Sequence, residues 1–175
     1  IKINSYGDTL WTRTLGINGG KAYSVASSGD GGCVLTGSAN QAFAIKIDQN
    51  GNVVWERYFG GLGIQLYKII KTVDNGYIAC GRINLHDAFI LKINSSGEFQ
   101  WNKMFQINGF KGFNSITDAK TNGYVLTGYE LSDTDTARIT VTRLDIEGNF
   151  IWERKYTKGG STIQNISNGY IFGGS

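Results

Sequence analysis

The chain has 175 residues, of which 41% are hydrophobic and 13% aromatic, and its seventeen basic and fourteen acidic residues give a formal net charge of +3. This apolar content is enough to build a core, which excludes a disordered protein. The basic residues form no stripe and no run of eighteen apolar residues is present, so the sequence predicts neither nucleic-acid binding nor a membrane span.

The composition favours strands over helices. Aromatic and β-branched residues are frequent, 25 residues are glycine and none is proline. Aromatic and β-branched side chains suit the pleated surface of a sheet, and glycine supplies the positive φ angles of tight turns. We therefore expect short strands joined by tight turns.

The first predicted element is residues 2–11, with the sequence KINSYGDTLW, which predicts two short strands and a turn. In this turn the Asn4 side chain is expected to accept main-chain hydrogen bonds while Gly7 takes a left-handed conformation. The phrase returns as KIDQNGNVVW, KINSSGEFQW and RLDIEGNFIW. Its copies share a turn glycine and a final tryptophan, namely Gly7, Gly51, Gly97 and Gly148, and Trp11, Trp55, Trp101 and Trp152.

A second phrase lies between the copies of the first. It consists of two glycines five residues apart around a short apolar segment, and its first copy is Gly32-CVLT-Gly37. Another apolar segment and a turn such as DGG or DNG precede it. Each unit thus contains four short strands, and a unit of about 45 residues has the length of a four-stranded propeller blade.

These patterns predict an all-β fold, a single β-propeller domain over residues 1–175 with four-stranded antiparallel blades. In a closed four-bladed ring, the N- and C-terminal strands complete the last blade together, which leaves no open strand edge at the seam. The alternative is part of a larger propeller, and self-association is then expected because the ring is incomplete. The predicted blade units are approximately residues 17–60, 61–106, 107–157, and 158–175 together with 1–16.

The repeat also carries a resemblance to known proteins. The phrase D-G-G-Y-x-x-x-G, followed by K-I-D-x-x-G-x-x-x-W, resembles the repeats of bacterial and archaeal β-propellers loosely related to pyrroloquinoline-quinone-type domains, over essentially the whole chain. The resemblance implies the propeller fold. It implies no single activity, because that group includes secreted, surface-attached and scaffold proteins as well as enzymes. The calcium and quinone ligands of its dehydrogenases have no matching constellation in this sequence.

Most repeated residues have a structural interpretation. The four tryptophans occupy equivalent positions, which favours packing between neighbouring blades over ligand stacking. Cys33 and Cys80 belong to no CxxC pair and are interpreted as buried free thiols. A specific site is therefore expected in the loops, where the repeats differ.

Two candidate sites follow from the variable positions. Tyr23, Tyr67 and Phe113 share one offset from the preceding tryptophan, and their rings are interpreted either as a sugar-stacking ring at the axial mouth or as covers for the blade cores. The expanded link YELSDTDTAR carries an acidic cluster, which offers oxygen ligands to calcium or is simply a solvated loop. Its members are Glu130, Asp133 and Asp135.

The sequence offers no catalytic constellation. The single histidine, His86, stands beside Asp87 without a serine or cysteine nucleophile in a motif. We therefore predict a non-enzymatic binding or scaffold propeller, extracellular or on the cell surface, that presents loops to a protein or glycan partner and needs no cofactor apart from the calcium considered above. The alternatives are lectin-like carbohydrate binding at the axial mouth and a fragment of a larger quinoprotein-like enzyme.

Overall fold

The computed structural model describes residues 1–17, 19–84, 86–106, 109–132, 137–157 and 160–173. These residues form strands, turns and bends and contain no helix, which confirms the all-β prediction. The described part of the chain accordingly has no helix that is long and apolar enough to cross a membrane.

The strands follow one another along the chain with short links. Their bounds are β1 Lys2–Ile3, β2 Thr9–Trp11, β3 Lys21–Ser27, β4 Cys33–Ser38, β5 Ala42–Ile47, β6 Val53–Phe59, β7 Gln65–Lys71, β8 Tyr77–Ile83, β9 Asp87–Ile93, β10 Phe99–Phe105, β11 Gly109–Asp118, β12 Tyr124–Ser132, β13 Ala137–Leu144, β14 Phe150–Tyr156, β15 Thr162–Ile166 and β16 Gly169–Gly173.

Within the described residues, the strands assemble into three four-stranded sheets and two hairpins. Sheet I contains β3 to β6, sheet II contains β7 to β10 and sheet III contains β11 to β14, each with consecutive strands as antiparallel neighbours. Hairpin N is β1 with β2, and hairpin C is β15 with β16. Three of the four expected four-stranded antiparallel units are therefore present.

The two hairpins form separate two-stranded sheets. Among the strand pairs of the described residues, none joins β16 to β1. The closed four-bladed ring needs that pair to complete its last blade. The closed ring therefore stays a prediction.

Each sheet is apolar on both faces because successive side chains of a strand point to opposite sides. In β8 of sheet II, Ala79 belongs to the same core cluster as Val34 of sheet I, whereas its neighbour Ile78 packs with Ile116 of sheet III. The sheets thus stack face to face in chain order, with a hydrophobic core in each interface.

The same packing continues at both ends of the series. Trp11 and Leu15, in and just after hairpin N, pack against Phe43 of sheet I. At the other end, Val125 of sheet III packs against Ile163 of hairpin C. The order in space is therefore hairpin N, sheet I, sheet II, sheet III and hairpin C.

The turn before each outer strand has the geometry that its sequence predicts. Asp48 Oδ1 accepts hydrogen bonds from the main-chain N–H groups of Asn50 and Asn52, both at 2.8 Å, and Gly51 has a φ of 83°. The hydrogen bonds of Asn52 to this carboxylate hold the pKa of Asp48 below its usual range. The Asx side chain and the glycine thus fix the hairpin together.

Each of the first three tryptophans lies on the Asx turn of the following unit. The Trp11 indole N–H donates to the Gln49 carbonyl at 3.0 Å, and the Trp55 indole N–H donates to the Ser95 carbonyl at 3.3 Å. The ring also approaches the turn glycine, where a side chain would collide with it. The pairs are Trp11 with Gly51, Trp55 with Gly97, and Trp101 with Gly148.

The first strands of the units contact one another in the order β3, β7, β11 and β15, so they form a common inner edge. The start of β3 at Lys21 lies opposite the end of β4 at Ser38. The ends of β4, β8 and β12 therefore lie at the end of the sheets where the inner strands begin. This is the end that carries the sequence-variable links.

Candidate functional site

A β-bulge interrupts the first strand of sheets I and II near its start. The pairing register shifts at Tyr23 in β3 and at Tyr67 in β7, so neither tyrosine has a partner across the ladder. A bulge leaves one residue unpaired and changes the direction of its side chain. The two rings lie next to each other, with centroids 5.5 Å apart and an interplanar angle of 77°.

A glycine on the second strand allows this bulge. A Cβ atom at Gly37 would overlap the carbonyl oxygen of Lys21, and a Cβ atom at Gly81 would overlap that of Gln65. Gly128 has the same relation to Gly112 in sheet III. The second glycine of the repeated phrase is therefore required by the close approach of two main chains.

Phe113 does not join the two tyrosines, which corrects the expectation of three equivalent rings. In β11 the register shifts at Asn114, while Phe113 pairs with Gly128. Phe113 is fully buried, and its ring lies 5.5 Å from that of Phe105 in the core between sheets II and III. A shift of one residue moves a side chain to the other face of a strand, so the bulged position of sheet III is Asn114.

Polar groups of sheet II contact Tyr67, the second ring of the pair. Gln65 Oε1 accepts hydrogen bonds from the Tyr67 hydroxyl at 2.6 Å and from Arg82 Nε at 2.9 Å. The Arg82 guanidinium lies 5.8 Å from the centre of the Tyr67 ring, in cation–π contact. We call Tyr23, Gln65, Tyr67, Arg82 and the neighbouring Tyr129 the Tyr–Arg cluster.

Burial raises the pKa of the Tyr67 phenol. The positive charge of Arg82 opposes this shift, while the phenols of Tyr129 and Tyr23 add to it. Tyr67 is therefore a neutral hydroxyl at physiological pH, held by its hydrogen bond to Gln65. Tyr23 is 41% exposed and forms the accessible side of the cluster.

The cluster occupies three positions whose residues vary between the sheets, although the bulged residue is tyrosine in both sheet I and sheet II. The residue whose carbonyl oxygen approaches the second glycine is Lys21, Gln65 or Gly112, and the bulged residue is Tyr23, Tyr67 or Asn114. The residue after the glycine is Ser38, Arg82 or Tyr129. Because the second glycine is present in all three sheets, the backbone around the bulge is the same in each, while the side chains beside it vary. Sequence analysis missed Arg82 and Tyr129, although variation beside an unvarying glycine was a visible signal.

The acidic candidate site differs from its expected form. Glu130 lies in β12, not in a loop, and is buried in an ion pair with Lys155 at 2.6 Å. Buried Lys111 and half-buried Glu153 form a second ion pair at 2.5 Å beside it. Glu130 is thus part of a charge network within sheet III. The other two candidates, Asp133 and Asp135, lie outside the described residues.

His86 and Asp87 lie in the link to β9 and at its start. The His86 carbonyl accepts a hydrogen bond from the Lys111 main-chain N–H at 2.8 Å, and Asp87 accepts one from the Gln106 side chain at 3.5 Å. Lys111 belongs to sheet III, so its hydrogen bond to His86 joins the β8–β9 link of sheet II to sheet III. Among the described residues, no group of three or more His, Cys, Asp or Glu side chains is placed to hold a metal ion.

The remaining repeat residues lie away from the cluster. Trp152 packs with Val141 and Ile163 in the interface between sheet III and hairpin C. Gly7 has a φ of 89° and no atom within 4 Å of an added Cβ, so no tryptophan covers its turn. The Gly7 turn therefore differs from those of Gly51, Gly97 and Gly148.

No model of a known protein family matches the sequence, and no curated protein matches it. Among solved structures, the chain is similar to a crystal structure of a protein of unknown function from Bacteroides caccae, determined at 1.35 Å resolution. The TM-score is 0.65 and the sequence identity 17%, and the match covers 94% of this chain and 56% of that protein. The chain thus spans little more than half the length of that protein, and the likeness concerns the fold alone.

Proposed function

We propose that this chain is an arc of consecutive β-propeller blades and that it acts as a non-enzymatic binding module, with a glycan as the ligand of its Tyr–Arg cluster. The proposal includes a location outside the cell or on its surface, where glycans are presented. The protein partner considered from the sequence becomes an outcome of the test below.

The stacking of the sheets supports the propeller assignment. Each sheet is an antiparallel meander, its first strand lies at the inner edge, and its two faces pack on the neighbouring units. This is the arrangement of propeller blades around a channel. The separate sheets of the two hairpins favour an arc of a larger ring over the closed four-bladed form.

The pairing of Tyr23 with Tyr67 beside Arg82 is the observation that carries the binding proposal. The bulged residue is tyrosine in sheets I and II but asparagine in sheet III, and the residues beside it differ in all three sheets, whereas the glycines repeat. The repeated backbone therefore does not require these side chains. Ligand sites combine aromatic surface with a few polar groups in fixed directions. Gln65 is fixed by two hydrogen bonds, and Tyr23 remains accessible.

A glycan fits this combination best. Its C–H faces pack on exposed aromatic rings, and its hydroxyl groups need donors and acceptors held in place. Arg82 and the Gln65 NH₂ group supply donors, and the Tyr67 oxygen, whose O–H already donates to Gln65, supplies an acceptor. The cluster has one cation and no carboxylate, which favours neutral or acidic sugars over basic ones.

A glycan array tests the proposal with three variants. Tyr23→Ala removes the exposed ring, Arg82→Ala removes the stacked cation, and Tyr6→Ala is the matched control. Tyr6 is 89% exposed in the turn of hairpin N, outside the cluster. We expect the wild type and Tyr6→Ala to bind the same glycans, and the other two variants to lose at least about tenfold in affinity.

Two results contradict the proposal. One is the absence of glycan binding by the wild type. The other is glycan binding that Tyr23→Ala and Arg82→Ala leave unchanged. Binding of a protein segment that depends on Tyr23 and Arg82, without glycan binding, would transfer the site to a protein ligand and overturn the glycan assignment.

A further inference from the structure

The face of sheet I that points away from sheet II is only half covered. Hairpin N covers its outer part through Trp11 and Leu15. Val25, on the inner strand, remains 56% exposed, whereas the equivalent residues Ile69 and Ile116 are 2% and 1% exposed. The uncovered part is a cavity of about 450 Å³ with Val25, Cys33 and Leu35 in its wall.

Hairpin C also has an uncovered face, on its side away from sheet III. Its Tyr170 and Phe172 pack on sheet III, and the side chain between them, Ile171, points away and is 59% exposed. The equivalent residues of sheets I and III, Val34 and Val125, are fully buried. The outer face of hairpin C therefore lacks the neighbour that every four-stranded sheet has on this side.

These two faces correspond to the two sides of the interface between sheets I and II. Between sheets I and II, Val34 packs in one cluster with Ile69. Ile171 has the strand position of Val34, and Val25 has the strand position of Ile69. The unpartnered faces thus carry the same residue types, in the same strands, as the faces that are buried against each other elsewhere.

In the interfaces between neighbouring sheets, a polar side chain of one sheet donates a hydrogen bond to the inner turn of the sheet before it. Sheet I has a polar side chain at the same position. Lys71 Nζ of sheet II donates to the Ser28 carbonyl of sheet I at 3.0 Å. Asn165 Nδ2 of hairpin C donates to the Asp118 carbonyl of sheet III at 3.1 Å. The equivalent residue of sheet I is Ser27, which is exposed and lines the cavity. It offers a hydroxyl donor to the inner turn of an incoming hairpin.

We propose that the uncovered face of sheet I binds hairpin C of a second copy of this chain. The two faces stand at opposite ends of one chain's series of sheets, and they are complementary, not identical. Such a head-to-tail interface joins copies into a ring or a filament. The proposal rests on the packing of the sheets and is independent of the glycan site.

Two aspartate variants test this head-to-tail contact. Val25→Asp blocks the face of sheet I and leaves hairpin C intact, and Ile171→Asp does the reverse. Val54→Asp is the matched control, because Val54 is 55% exposed on the outer strand β6. Molar mass in solution is measured by light scattering after size exclusion, from about 1 to about 100 µM protein.

We expect the mass of the wild type to rise with concentration above 19.2 kDa, and Val54→Asp to behave alike. Each of the other two variants alone is expected to stay at 19.2 kDa. An equimolar mixture of the two is expected to form a species of two chains, because one intact face of each remains. Recovery in the mixture also shows that both variants are folded.

Cys33 gives a second readout inside the cavity, since Cys80 is fully buried. In Ile171→Asp we expect Cys33 to react freely with a thiol reagent, and addition of Val25→Asp to slow this reaction. A wild type that stays at 19.2 kDa with no complex in the mixture overturns the proposal. A monomeric wild type whose Cys33 is protected, but exposed by Ile171→Asp, also overturns it, because the chain then binds its own hairpin.

Discussion

The ammonium group of Lys92 lies 2.7 Å from the carboxylate of Asp74 and joins the third strand of sheet II to the turn between its first two strands. Lys46 makes the same contact with Asp30 in sheet I at 2.7 Å. Sheet III has no aspartate at this turn, and Arg143 donates instead to the carbonyls of Thr121 and Asn122. The basic residue nine positions before Trp55, Trp101 or Trp152 thus binds the inner turn of its own sheet.

Asp74→Asn should destabilise the protein more than Asp30→Asn. Lys92 is only 3% exposed, so loss of its carboxylate leaves a buried charge that Gln100 satisfies only in part, whereas Lys46 is 18% exposed and can be hydrated. We expect a loss of about 1–3 kcal/mol for Asp74→Asn and a clearly smaller loss for Asp30→Asn. Urea unfolding measures both. Equal losses would show that the burial of Lys92 is unimportant.

The same pair predicts a pH dependence. Burial raises the pKa of Asp74, but the hydrogen bonds of Lys92, Thr72 and Gly76 outweigh it and lower the pKa to about 2. An unfolded aspartate has a pKa of about 3.9. Because the folded pKa is depressed, the contribution to stability is complete above about pH 4 and is lost as the pH falls towards 2.

Urea unfolding of the wild type and Asp74→Asn at several pH values isolates this effect, since the other carboxylates are common to both proteins. The difference in unfolding free energy should be constant above about pH 4 and shrink steadily towards about pH 2. A difference that does not change over this range would contradict the assignment of the pKa shift to this pair.

Gly81→Ala should be strongly destabilising. The added Cβ would overlap the Gln65 carbonyl oxygen, a main-chain atom that cannot move without breaking the pairing of β7 with β8. We expect a loss of about 3 kcal/mol or more. Gly61→Ala is the matched control, with no atom within 4 Å of its added Cβ and no positive φ. Its unfolding midpoint should be unchanged, and a similar loss in both variants would refute the role of close approach.

The architecture of the sheets was accessible from the sequence because local chemistry dictates it. The Asx residue and the glycine of each turn act within five residues, and the alternation of apolar residues sets the faces of each strand. Whether hairpin N pairs with hairpin C was not predictable from the sequence. It depends on packing between distant segments, on which the local pattern carries no information.

Only part of the Tyr–Arg cluster was predicted from the sequence. The reason is that the positions of the aromatic residues were counted from the tryptophans. From the tryptophans, Phe113 takes the place of Tyr23 and Tyr67, but the count crosses a link whose length varies. Counted back from Gly37, Gly81 and Gly128, the fourteenth residues are Tyr23, Tyr67 and Asn114. The glycines are the better landmark because they are in register with the bulge.

We propose that the side chains of sheet II at the inner edge serve a ligand and not the fold. The double variant Gln65→Lys with Arg82→Ser tests it most directly, because it gives sheet II the residues that sheet I has at these positions, Lys21 and Ser38. Calorimetric titration with the strongest glycan of the array should show a loss of at least about tenfold in affinity, about 1.4 kcal/mol, with an unfolding temperature within about 2 °C of the wild type. Wild-type affinity in this variant would contradict a ligand-binding role for Gln65 and Arg82.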